Sequence, residues 1–290
     1  MIRCSSTLAI VSRLVKAVCA RPRAAALSGG RFSAFFGMAA LVLLAAAPAN
    51  AANEPSLSLL LDRVGEQTGK FWDYFPSVTC TETLTQNKLG DKGKVLFQQR
   101  ETFDYLIMLR SRGLDISVDE SRVETAHTRS KNTASLLETN GFSLFTLIFH
   151  NNYQSHYQFR QLPDESVNGR RLLHIAFQQV SNDHPLSVLQ LGETEYPLEW
   201  RGTAWIDPDS SAVARIHAGL GDSLTARGLL RLEADVTYSD IHFSGSPSYS
   251  LPVSADIEAE TKRQHWHNTH QFSNYKRFSV DTDVKLSPVR

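Results

Sequence analysis

Leu251-Pro252-Val253-Ser254-Ala255-Asp256-Ile257-Glu258-Ala259-Glu260-Thr261 is the stretch that decides the fold class. Leu251, Val253, Ala255 and Ile257 alternate with Ser254, Asp256, Glu258 and Glu260. A period of two gives an extended strand one apolar and one charged face. Such a strand belongs in an antiparallel sheet with one side covered and the other in water. Just upstream, Leu230, Leu232, Val236 and Tyr238 share a face, and the pattern then slips to Ile241 and Phe243. A one-residue slip of that kind predicts a β-bulge.

The same period extends over most of the chain. Val78, Cys80 and Leu84 alternate with Thr79, Thr81, Thr83 and Thr85, whose β-branching favours a strand. Phe103, Tyr105, Ile107 and Leu109 share a face, and Leu114, Ile116 and Val118 alternate with Asp115, Ser117 and Asp119. Asp91-Lys92-Gly93 and Ser111-Arg112-Gly113 supply turn chemistry between these strands. Later strands are expected over 153–162, 170–180, 199–206, 212–218, 229–243, 251–263 and 264–286. Connections this short exclude parallel crossovers. The expected class is therefore mainly β (α+β), with about ten strands in one large curved antiparallel sheet.

Two segments break the period. Leu57, Leu60, Leu61, Val64, Phe71 and Phe75 recur at helical spacing until Pro76. From 134 to 152 a second helical pattern carries Leu137, Phe142, Phe145, Ile148 and Phe149, with Leu144 and Leu147 beside them and Gly141 dividing it. Both are expected to cover the concave side of the sheet.

The first 51 residues read as a leader. Arg3, Arg13, Lys16, Arg21, Arg23 and Arg31 precede an apolar run that ends in Ala49-Asn50-Ala51, and no acidic residue appears before Glu54. The run is too short for a secure membrane span, which takes about 20 apolar residues. The expectation is a signal peptide over 1–51, one domain over 52–290, and a periplasmic or envelope location. Only Cys80 would remain, so no internal disulfide can form. Removing the leader's six basic residues from the chain's 30 leaves 24 against 30 acidic, a formal charge of −6, which argues against a nucleic-acid partner.

Gly202-Thr203-Ala204-Trp205-Ile206-Asp207-Pro208-Asp209, followed by Ala212-Val213-Ala214-Arg215-Ile216, resembles the Trp-apolar-Asp-Pro turn of the LolA/LolB-like envelope carriers. The carrier-like half of the RseB/MucB regulators has the same plan. That resemblance implies a half-open barrel, helices plugging its concave side, and a lipid, lipoprotein or envelope-protein partner. Phe71-Trp72 through Thr81-Glu82, the Phe103-Asp104-Tyr105-Leu106 strand and Phe272-Ser273-Asn274-Tyr275-Lys276-Arg277-Phe278 are similar to exported proteins of acidobacterial type that carry no known activity.

Several residues bear on chemistry. Phe103, Tyr105, Phe142, Phe145, Phe149, Trp205, Phe272 and Phe278 are the candidates for lining an apolar pocket or filling a core. His265 and His267 share a strand face and are weak metal candidates, since no cysteine and no nearby carboxylate completes a set; His270 falls on the other face. Asp207-Pro208-Asp209-Ser210-Ser211 reads as a turn rather than a catalytic pair. Glu82 shares the covered face with Val78, Cys80 and Leu84, so if buried it needs a partner, for which Arg170 or Arg215 are candidates. Cys80 is expected to be an inert, packed thiol. No G-x-S-x-G, P-loop, G-x-G-x-x-G or H-E-x-x-H motif is present, and no cofactor is called for. These features point to a non-enzymatic envelope protein that binds an acyl chain or lipoprotein in a concave apolar pocket. The alternatives are a structural or signalling module that binds another envelope protein, and a hydrolase using the His265/His267 strand.

Overall fold

The computed structural model describes residues 8–11, 56–75, 77–111, 116–124, 137–180, 185–191, 194–220, 222–245 and 248–277. Its elements are β1 (Leu8–Val11), α1 (Leu57–Tyr74), β2 (Val78–Leu89), β3 (Val95–Ser111), β4 (Ser117–Glu124) and β5 (Leu137–Thr139). Then come β6 (Tyr157–Val167), β7 (Arg170–Gln179), β8 (Val188–Leu191), β9 (Thr194–Pro197) and β10 (Trp200–Ile206). The chain continues through β11 (Val213–Leu220), β12 (Leu229–Ile241), β13 (Tyr249–Thr261) and β14 (His265–Arg277).

Ten strands form one open antiparallel sheet in the order β4-β3-β2-β14-β13-β12-β11-β10-β7-β6. This is the curved half-barrel that the alternation predicts. A smaller sheet, β5-β1-β8-β9, was not foreseen in its β8 and β9 strands. The expected leader lies outside the described residues apart from β1. A chain beginning at Ala52 would keep the large sheet whole but lose β1, the strand that joins β5 to β8 in the small one.

Most of the period-two residues face as expected, but Leu230 is exposed, because the pairing of β12 with β13 shifts register between Leu229 and Arg231. On β2, Val78, Cys80, Glu82, Leu84 and Gln86 are buried while the threonines between them are only half-buried. The bulge expected between Tyr238 and Ile241 is displaced: pairing there is regular, and the register shifts between Thr237, which pairs with Ser254, and Tyr238, which pairs with Pro252, so the extra residue lies on β13. Val253 is the extra residue, so it is half-buried rather than fully inward. The bulge also accommodates Pro252, which has no N–H to give to a regular ladder.

α1 begins at Ser56, whose hydroxyl accepts from the Leu59 amide, and buries Leu60, Val64, Gly65, Thr68 and Trp72. Phe75 leaves the helix at ψ 120°, the extended conformation that a following proline imposes. Gly65 is where α1 touches the second covering segment. A Cβ there would lie 2.8 Å from the Gln154 amide nitrogen. That nitrogen donates to the Leu61 carbonyl at 2.9 Å and the Phe149 carbonyl at 2.7 Å, stapling the two coverings together.

The expected helix over 134–152 takes a different form. Residues 134–136 lie outside the described residues, 137–139 is strand β5, and Gly141 turns the chain at φ 86°. Phe142–Phe149 is a 3-10 helix with all eight residues buried. The helical spacing misled because side chains of the sheet bind the 137–141 backbone and hold it extended. The segment beyond Gly141 is apolar on every side, so its burial does not depend on helix type. This plug spans the concave face: Phe142 lies 5.6 Å from Phe272, Phe145 5.0 Å from Trp200, and Phe149 5.5 Å from Phe159.

Candidate functional site

Beneath the approach to the plug lies a buried polar network on the inner faces of β2, β3, β4 and β14. Glu82 and His270 are both fully buried, and His270 Nδ1 lies 2.7 Å from Glu82 Oε1. Arg122 donates to both Glu82 oxygens, through Nη2 at 2.8 Å and through Nε, and to the Thr139 carbonyl at 2.6 Å. Thr139 Oγ1 lies 2.8 Å from His270 Nε2. With the carboxylate accepting, His270 donates from Nδ1, and in the neutral ring Nε2 then accepts from the Thr139 hydroxyl. The Leu137 carbonyl accepts from Gln86 and Asn268, each at 2.8 Å. Glu120 accepts from the Tyr105 hydroxyl and the Gly141 amide. Every link from Leu137 to Gly141 ties the plug's lead-in to the sheet, so the network is a latch.

The electrostatics follow from burial against pairing. Burial raises the Glu82 carboxyl, but donors from His270 and Arg122 outweigh it and hold the group below the ordinary range. Burial lowers His270 and outweighs the raising effect of Glu82, keeping the ring neutral. Burial opposes the Arg122 charge, and the Glu82 pair restores it. Glu120 is pushed up by burial despite its donors. Burial also pushes the Cys80 thiol up to about 12, which makes it the inert thiol that the sequence predicts.

Glu82 takes the predicted face but not the predicted partners. Arg170 pairs with Asp207 and Arg215 with Asp235, which leaves Arg122 to hold Glu82. Strand parity does put Glu120 and Arg122 on the face of Val118, but it does not say which strand lies near β2. His265 and His267 are not short of carboxylates either, because neighbouring β13 presents them. His265 Nε2 lies 2.6 Å from Glu258 and His267 Nε2 3.3 Å from Asp256. Among the described residues no group of three or more His, Cys, Asp or Glu is arranged to hold a metal ion. Asp207 caps its own turn, accepting from the Asp209 and Ser210 amides at 3.0 and 2.9 Å.

Of the pocket candidates, Tyr105, Phe142 and Phe272 meet around His270, and Phe103 is buried two residues from Tyr105 on the same strand face. Phe145 and Phe149 extend the group along the plug. Trp205 faces the other way: it stacks on His174 at 4.7 Å and lies under Arg215, while its neighbours Ala204 and Ile206 enter the core. Phe278 lies outside the described residues. These aromatic side chains fill space rather than line it, for under the plug a void of only about 20 Å³ remains beside Phe142, Phe145 and Trp200.

The open apolar space lies elsewhere. A cleft of about 280 Å³ runs between α1 and the start of β13, with Phe71, Tyr74 and Tyr249 as its aromatic walls and the plug's Thr146 in its lining. Lys70 and Ser248 also line it. The Tyr249 hydroxyl donates to the Tyr74 carbonyl at 3.0 Å, fixing the end of α1 against the sheet.

No protein-family model and no curated protein sequence matches the chain. Solved structures similar to it include the following three. A DUF1329 family protein from Desulfovibrio piger shares 13% identity over 79% of this chain and 94% of that chain, with a TM-score of 0.40. A LolA superfamily protein from Nitrosomonas europaea shares 10% over 76% and 94%, with a TM-score of 0.35. A putative outer membrane lipoprotein-sorting protein domain from Vibrio parahaemolyticus shares 11% over 77% and 94%, with a TM-score of 0.36.

Proposed function

We propose that this chain is an exported, non-enzymatic envelope protein that holds a single acyl chain, free or attached to a lipoprotein, in the cleft between α1 and β13. The cleft carries this reading. It is apolar, it adjoins the plug at Thr146, and at about 280 Å³ it sits near the lower end of small-molecule pockets, about 300–1,000 Å³. Each CH₂ buried there contributes about 0.8 kcal/mol. Lys70, which lies 3.8 Å from the exposed Glu66 carboxylate on α1, is the cation beside the cleft for a carboxylate or other anionic head.

The leader supports export, and the sequence resemblance to LolA/LolB-like carriers agrees with an envelope location. The filled space under the plug supports a protein that stores its ligand beside the plug, not within the sheet's curve. Native mass spectrometry of protein purified from an envelope fraction tests the reading. A co-purified acyl-bearing mass, displaced by added fatty acid, is the expected result. A protein that is empty and stays empty with excess fatty acid would sink it.

A further inference from the structure

The outer face of the sheet carries a second hollow, independent of the cleft. Two rungs of the ladder build it. Gln158, Gln178, Arg201, Gly219 and Glu233 lie side by side across β6, β7, β10, β11 and β12. Two residues along, Arg160, Ala176, Thr203, His217 and Asp235 form the next rung. Ala176, Thr203 and Gly219 are the small residues among these, and the long polar side chains around them, Arg201 included, stand over the floor they make. The result is a cavity of about 870 Å³ with a floor of small residues, walled at one end by Leu220, Leu224 and Leu230.

Its charge is lopsided. Arg231 is committed to Glu233 at 2.7 Å and Glu258 at 2.9 Å. Arg160 and Arg201 are exposed, and among the described residues neither forms an ion pair. Two free guanidinium forks, the Gln158 and Gln178 amides and the Thr203 hydroxyl therefore converge on one hollow. Guanidinium forks match multi-oxygen anions.

We propose that this hollow binds a phosphate-bearing small molecule, its phosphate between Arg160 and Arg201 and its carbon portion against Leu220, Leu224 and Leu230. A phosphate monoester has the charge and the three acceptor oxygens for these donors, and the volume exceeds that of a lone ion. A soluble ester and a lipid monoester head group both present this chemistry, and two arms of one experiment separate them. Calorimetric titration of the purified protein with glycerol 3-phosphate tests the soluble source; flotation with phosphatidylcholine vesicles containing phosphatidic acid, against phosphatidylcholine alone, tests the lipid source. Saturable binding is expected in at least one arm. It should weaken about tenfold or more in Arg160→Gln/Arg201→Gln, with an unchanged thermal melt, and stay as in the wild type in Arg110→Gln, whose side chain pairs with Asp119 on β4. Absence of binding in both arms, or a double variant that binds like the wild type, overturns the proposal.

Discussion

Glu82 is a charge buried without access to water, and such a group is stable only while its partners stay. Glu82→Gln leaves Arg122 facing a neutral amide, and losing one member of a buried pair costs about 3–5 kcal/mol. Urea unfolding at neutral pH should show that loss, whereas a change under about 1 kcal/mol would mean that the pair is not closed in solution. The network also sets a pH dependence. His270 is held below its ordinary value of 6.5, so as pH falls below that value the unfolded chain takes up the proton first and stability drops. Glu82 is held low, so its contribution is present above the ordinary carboxylate pKa and is lost as pH falls through its depressed value. Glu120, pushed up, works in the opposite sense, and its burial cost is relieved on acidification. Unfolding free energy is therefore expected to fall as pH drops below about 6.5, and to fall less in His270→Gln. Parallel curves for the two proteins would place the titrating group elsewhere. Strand parity alone put Glu82 on the covered face and His270 on the face opposite His265 and His267, so that much was legible in the sequence. Their partner was not, because period two says which face a residue takes but not which strand lies beside it.

The plug is the element that the sequence read least well. Dense apolar spacing over 142–149 announced burial correctly. It could not distinguish a helix from an extended lead-in followed by a 3-10 turn, because the deciding contacts come from side chains distant in sequence: Gln86, Arg122, Asn268 and His270 on the 137–139 backbone and hydroxyl. Gly141 at φ 86° is the joint between the two halves. Gly141→Ala places a Cβ in the left-handed region and should cost about 1–2 kcal/mol. Phe149→Ala removes a fully buried ring against Phe159 and Phe177 and should cost about 3–5 kcal/mol. Equilibrium denaturation of both variants checks the pair. A Phe149→Ala cost no greater than that of an exposed substitution would show that the plug is not seated.

At the scale of the molecule, the ten-stranded sheet was the most legible feature, since alternation repeats in strand after strand and each repeat supports the others. The open cleft was the least legible, because it is made where α1, the plug and β13 fail to fill space, and no single segment encodes a gap. Export belongs at this scale as well: N-terminal sequencing of the envelope form should begin at Ala52 or within a few residues, and a chain still starting at Met1 would contradict the leader reading. The most direct measurement is a fluorescent fatty-acid titration of the wild type beside Ser248→Trp, which lays an indole across the cleft from an exposed position. One ligand per wild-type chain is expected, with binding weakened about tenfold or more in the variant at an unchanged melting temperature. A wild type that binds no fatty acid, or a variant that binds it equally well, would contradict the assignment of the cleft as the ligand site.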